Sequence, residues 1–240
     1  MSSGADDLMR GRRVADDGAM AAAVLFDVDG VLIDTADAHG RVWRAWARAR
    51  GLDPEAVWLA TQGRRRADIL RLVAPGRDPV EEHRALDRLM AAEEPGFRAF
   101  PGAAGLLRAL PAGRWAVVTS SRAEPTAARL ARTGLVVPEV RVCAEDVSEG
   151  KPSPEGYLTA AARLGVDPAR CLVVEDAPAG VAAGLAAGCV VYAVASTHRA
   201  EELGDAHACF GSLEEAAGAV LGAMAGGGGG GGGEGAWTGA

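Results

Sequence analysis

Lysine is almost absent: a single one, Lys151, stands among 25 Lys and Arg residues. There is no run of 18 or more apolar residues, so hydropathy offers no membrane-spanning helix. A positive balance is missing too. The net charge of −7 gives no electrostatic case for a nucleic-acid or membrane-surface partner. Cysteine is sparse. Cys143, Cys171, Cys189 and Cys209 have no paired spacing, and Cys171 and Cys189 open apolar runs as core residues do. A reducing, cytoplasmic setting is expected. The first twenty residues are polar and acidic and lack an apolar signal core.

What is present is a 240-residue chain that is 49% hydrophobic, enough for one large domain or a core with a small companion. The most informative stretch begins as an apolar run, Ala22-Ala23-Val24-Leu25-Phe26. It stops at Asp27-Val28-Asp29-Gly30-Val31-Leu32-Ile33-Asp34-Thr35. Two carboxylates, two residues apart, thus follow a buried strand where it breaks into a glycine-bearing turn. In open α/β sheets, ligands bind beyond the carboxyl ends of the strands. Two acids there can divide phosphoryl transfer, one attacking phosphorus and the other moving protons. Both can help hold Mg2+, a hard cation that takes oxygen ligands. An EF-hand loop also starts Asp-x-Asp, but it needs glycine sixth and glutamate twelfth. Here glycine comes fourth and apolar residues follow. The remaining alternative is a plain turn in which Asp and Gly serve only the geometry.

Three further segments extend the pattern. Arg114-Trp115-Ala116-Val117-Val118-Thr119-Ser120-Ser121 is an apolar strand ending in hydroxyls. Gly150-Lys151-Pro152-Ser153-Pro154 carries the sole lysine, and Leu172-Val173-Val174-Glu175-Asp176-Ala177-Pro178-Ala179-Gly180 ends a third strand in adjacent acids. In this order the four segments resemble motifs I to IV of the haloacid dehalogenase-like phosphohydrolase superfamily, over residues 23 to 210.

The strand ends at Asp27, Thr119, Lys151 and Glu175 are separated by 92, 32 and 24 residues. A βαβ unit takes about 30, so the first gap holds roughly 60 extra residues. That excess reads as helices: one through Val42, Trp43, Trp46 and Ala47 stopped at Gly51, one through Ile69, Leu70, Leu72 and Val73, and one from Val80 to Glu93. The expected fold class is α/β, a Rossmann-like three-layer parallel sheet with a small helical cap inserted after the first strand. Residues 22–35 and 97–222 are assigned to the core and 36–96 to the cap. Residues 1–21 and the glycine-rich tail 223–240 are expected to be disordered. By resemblance, this insert is a C1 cap that closes over the site. Gly180, Gly184 and Gly188 are expected to pack backbone against the sheet, without a catalytic role.

The resemblance implies Asp27 as nucleophile, Asp29 as general acid and base, Thr119 as the motif II hydroxyl with Ser120 and Ser121 beside it, and Lys151 as the charge that balances the nucleophile. An ammonium is a compact point charge where guanidinium is a broad fork, which gives a motive for one lysine in an arginine-rich chain. Adjacent acids such as Glu175 and Asp176 repel unless a cation joins them. A solvent-facing acidic helix start is the alternative. The resemblance makes Asp176 an inner ligand of Mg2+ with Asp27 and the backbone carbonyl of Asp29, and has Glu175 act through a ligand water. His39, Gln62, Gly63, Arg64, Arg65 and Arg66 are the residues expected to face a small phosphorylated metabolite from motif I and the cap.

Asp29 argues against a dehalogenase, which lacks the second aspartate. The lysine-free insert argues against phosphonoacetaldehyde hydrolase. Two enzymes remain: a phosphatase on small sugar or polyol phosphates, and a β-phosphoglucomutase, whose cap glycine and phosphate-gripping arginine resemble Gly63 and Arg66. The missing cap lysine and Arg122-Ala123 after motif II, in place of a Lys-Asn-like pair, favour the phosphatase, acting as a monomer. A non-catalytic binding protein on the same scaffold is a third reading, disfavoured because every catalytic residue type is present.

Overall fold

In the computed structural model, residues 20–61 and 64–225 are described. Gln62, Gly63, residues 1–19 and the glycine tract at 226–233 lie outside them, and so do most of the two segments expected to be disordered.

Three short apolar runs become the centre of a sheet because both faces of each are covered. Strands β1 (Ala23–Phe26) and β4 (Trp115–Val118) are buried at every residue, as is β6 (Cys171–Glu175). With β5 (Arg141–Val142), β7 (Val190–Val194) and β8 (Ala208–Phe210) they form a six-stranded sheet in the order β5-β4-β1-β6-β7-β8. Every pairing in it is parallel. Successive side chains point to opposite faces. Val24, Phe26, Trp115, Val117, Leu172 and Val174 therefore enter one core, and Ala23, Leu25, Ala116, Val118, Cys171 and Val173 the other. The first face is covered by α5 (Ala103–Ala109) and α9 (Leu213–Ala225), and the second by α7 (Glu155–Leu164) and α8 (Pro178–Ala186). Helix α6 (Ala123–Arg132) follows β4.

The chain leaves β1 toward β4 and β5, then returns to the opposite side for β6, β7 and β8. That reversal makes the carboxyl end of β1 the topological switch point, where open α/β sheets form a crevice.

Between β1 and β4 the described residues 36–96 contain no strand. Helix α1 (Ala36–Arg48) buries Ala38, Val42, Trp43, Trp46 and Ala47 as one apolar stripe. It packs with α2 (Pro54–Ala60) and α4 (Pro79–Glu93), and α3 (Arg66–Val73) packs against those two. Helix α2 is one more than the periodicity indicates. Its start has a local cause: Asp53 accepts from the Glu55 and Ala56 amides, and Pro54 occupies the first turn. Both crossings into this layer meet in a two-stranded antiparallel ribbon, β2 (Ile33–Asp34) against β3 (Arg98–Ala99). The C-terminal helix also runs through Ala225, past the boundary expected at 222.

Candidate active site

The switch point gathers the four sequence segments. Asp27 follows β1, Thr119 follows β4, Glu175 and Asp176 end β6, and Lys151 lies in the loop ahead of α7. All of them line one cavity of about 830 Å3, together with Asp29, Ser120, Ser121, His39, Arg64, Arg65 and Arg66. Gly63 lies outside the described residues.

Lys151 is the electrostatic hub. Its Nζ donates to Asp27 Oδ1 at 2.5 Å, to Glu175 Oε1 at 2.5 Å and to the Val118 carbonyl at 3.3 Å. Burial alone would discharge an ammonium. The two carboxylates outweigh burial and hold Lys151 well above its ordinary value. Glu175 is turned to this lysine. Its Oε1 also accepts from the Tyr157 hydroxyl at 2.7 Å, and its Oε2 accepts from the Asp176 and Ala177 amides at 2.9 and 3.2 Å. Four protein donors therefore surround a carboxylate that the sequence reading assigned to a cation's water. Its Oε1 serves Lys151 and Tyr157, and its Oε2 serves the two backbone amides. Gly180 makes this possible. A Cβ there would lie 1.8 Å from Glu175 Oε1. Gly180 therefore clears space for the carboxylate, whereas Gly184 does pack on the sheet, with a Cβ position 2.8 Å from Val191.

The remaining acids are under-compensated. Burial pushes Asp27 up to about 7, and Glu175 and Asp29 add to the effect against the pull of Lys151. Burial also raises Asp176 well above the ordinary range, with Glu175 and Asp27 adding to it. Thr197 Oγ1 is a hydrogen-bond donor to Asp176 and orients it. A divalent cation suits such a pair, because it would compensate charge that one lysine leaves unbalanced. Mg2+ uses one or two carboxylates and completes its shell with water and substrate phosphate. Gly30 keeps the turn close to this pair: it sits at φ 94°, and a Cβ would lie 2.1 Å from Asp176 Oδ2.

Asp29 is held by a different set. Thr35 Oγ1 donates to its Oδ1 at 2.9 Å and Ser121 Oγ to its Oδ2 at 2.8 Å. Arg129 Nη1 lies 3.7 Å from Oδ1, and His39 Nε2 lies 3.9 Å away. Burial works to raise this carboxyl, but these neighbours win and hold it below the ordinary value. Burial keeps His39 itself below the usual imidazole range. At neutral pH the work therefore falls to Arg129 and the two hydroxyls. Arg129 is buried, reaches Glu94 through Nε at 3.3 Å, and lies 5.3 Å from the Phe97 ring centre. Sequence reasoning missed Arg129, Tyr157 and Thr197. Each is a single residue on another element, with no motif around it.

The cap arginines diverge. Arg64 is exposed, and its Nη1 donates to the Ala60 carbonyl at 3.1 Å. Arg65 reaches across to the core and donates to the Val147 and Ser148 carbonyls at 2.7 Å each, fastening the cap beside the lysine loop. Arg66 pairs with Asp87 at 2.5 Å. Thr119 Oγ1 accepts from the Ser121 amide at 3.1 Å, which shapes the turn after β4.

The family model for haloacid dehalogenase-like hydrolases matches residues 21–188. Hexitol phosphatase A of Escherichia coli (strain K12) is 44% identical over 196 residues, covering 80% of this chain and 91% of that protein. Glycerol-1-phosphate phosphohydrolase 2 of Saccharomyces cerevisiae is 37% identical over 188 residues, 73% of this chain and 75% of that one. Among solved structures, a β-phosphoglucomutase from Clostridium difficile superposes with a TM-score of 0.71 at 24% identity. It covers 81% of this chain and 92% of that one, a likeness of fold. With the four motifs assembled at one switch point, the chain belongs to the haloacid dehalogenase-like hydrolases.

Proposed function

We propose that the protein is a magnesium-dependent phosphatase that hydrolyses phosphomonoesters of small sugars or polyols through an aspartyl-phosphate intermediate. The observation that carries this reading is the Lys151 ammonium bridging Asp27 and Glu175 at the sheet's switch point, with Asp29 separately held two residues on. The names of the hexitol and glycerol phosphate relatives support the substrate class.

In this reading Asp27 attacks phosphorus in line while Asp29, acting from its protonated minority form, protonates the leaving alkoxide. Asp29 then takes a proton from the water that hydrolyses the aspartyl-phosphate. Lys151 neutralises Asp27 and the phosphoryl oxygens, and Thr119 and Ser120 contribute the turn after β4 that receives those oxygens. Positioning and charge neutralisation carry most of such catalysis. Asp27, Asp176 and the backbone carbonyl of Asp29 would hold Mg2+, which when bound supplies charge compensation for the transferring phosphoryl group. The four unpaired cysteines suit a reducing cytosol. No described helix is long and apolar enough to cross a membrane.

The test is phosphate release from a panel of sugar and polyol phosphates, with and without a chelator. Release from no phosphomonoester would defeat the phosphatase reading, and release indifferent to chelation would defeat the metal. Asp176→Asn should weaken apparent Mg2+ affinity, because it removes a direct ligand. Glu175→Gln should lower kcat with Mg2+ affinity nearly intact, because Glu175 serves Lys151.

A further inference from the structure

Besides the acids, the cavity wall carries Arg66 and His83 from the cap and Arg122 from the core. The two guanidinium groups share one carboxylate. Arg66 Nη1 lies 2.5 Å from Asp87 Oδ1, and Arg122 Nη2 lies 2.9 and 2.8 Å from Asp87 Oδ1 and Oδ2. Asp87 sits on α4, four residues after His83 and so on the same helix face. His83 Nδ1 is buried and has no hydrogen-bond partner among the described residues. Burial, with Arg66 and Arg122 close by, keeps this imidazole below its ordinary range, so at neutral pH it is an uncharged hydrogen-bonding group.

We propose that Asp87 determines substrate specificity: it fills the anion-chelating position between Arg66 and Arg122, so the end of the substrate remote from its phosphate must be uncharged and hydroxyl-bearing. The inference rests on the phosphatase reading and adds a selection rule to it. Two free arginines on a cavity wall would grip a second phosphate or a carboxylate through paired N–H donors. Here those donor edges are taken by a carboxylate of the protein itself, and an arriving anion must compete with Asp87 for them. Discrimination then comes from withholding the donors as much as from attraction. A neutral polyol end has no charge to place between the arginines, and its hydroxyls can pack against Arg66, His83 and Arg122, which line the cavity. The rule also separates hydrolysis of monophosphates from chemistry that must hold a second phosphate.

Sorbitol 6-phosphate and 6-phosphogluconate form a matched pair of probes, equal in chain length and differing at the far end by a hydroxymethyl group against a carboxylate. Steady-state kinetics with Mg2+ on the full chain should give a clearly higher kcat/KM for sorbitol 6-phosphate in the wild type. Asp87→Asn removes the charge and keeps the shape. It should raise the 6-phosphogluconate to sorbitol 6-phosphate ratio of kcat/KM by about tenfold or more, the scale of one charge contact across an interface. Asp87→Ser should move the ratio the same way, and adding Arg122→Gln to Asp87→Asn should cancel the gain. A wild type indifferent to the far carboxylate, or a ratio that stays within twofold in both Asp87 variants, overturns the inference while leaving the phosphatase reading standing. Hydrolysis of no phosphomonoester at all brings down both.

Discussion

The core and the cap treat charge in opposite ways. At the switch point, Lys151, Asp27 and Glu175 have side chains at most 9% exposed, and each is satisfied by partners far along the chain. On the cap, ion pairs such as Arg41–Glu93 and Arg44–Glu55 stand at the surface, where water and salt compete with them. A buried charge has no substitute partner, so changing one core residue strands its neighbours. An exposed cap pair of this kind can be exchanged at small cost.

The comparison breaks if the core tolerates substitution. Asp27→Asn should lower kcat by about 10⁴-fold or more, the order seen when a nucleophile is removed, with the fold retained. Substantial residual turnover would remove Asp27 from that role. Lys151→Arg keeps the charge yet should lose about 10²-fold, the worth of a preorganised electrostatic contact. A planar fork cannot occupy the ammonium's position between Asp27 and Glu175 without displacing one. Near-normal kcat/KM would make the lysine incidental.

Gly180→Ala probes the same cluster from behind. The methyl would overlap the Glu175 carboxylate, costing about 1–3 kcal/mol of stability as overpacking does. It should also lower kcat, because Glu175 orients Lys151. Thermal unfolding unchanged from wild type would show that the helix shifts freely, contrary to its packing on β6.

Mg2+ sharpens the contrast through pH. Asp27, raised to about 7, and Asp176, raised well above the ordinary carboxylate value, hold protons in acid that a cation must displace. Mg2+ affinity, and with it the gain in Tm, should therefore grow as pH rises from 5.5 to 8. Equal gains at both pH values would assign the cation elsewhere. The smallest effect belongs to the cap. Arg64→Ala should change stability by less than about 0.5 kcal/mol, as exposed sites do, and kcat/KM by no more than about twofold. A large loss of kcat/KM would give Arg64 a substrate contact.

The elements that carry chemistry were legible because each ends a continuous apolar run or follows a helix entry signal. The parallel sheet and the helical insert followed from spacing. Helix α2 was passed over although Asp53-Pro54 announces it, because seven residues are too few to show a period. The β2–β3 ribbon, with two residues per strand, leaves no pattern at all. The contact of Glu175 to Lys151, and the space that Gly180 leaves for that carboxylate, depend on tertiary approach and leave no local pattern.

The sequence by itself determined which residues stand at strand ends, because apolar runs and turn residues act locally. Tertiary structure alone decided which charge meets which. The Lys151 bridges span 124 residues to Asp27 and 24 to Glu175, and Arg129 approaches Asp29 from a helix beyond the whole insert. Coulomb and hydrogen-bond energies depend on separations of a few ångströms in a water-poor cleft, and no local pattern encodes those separations.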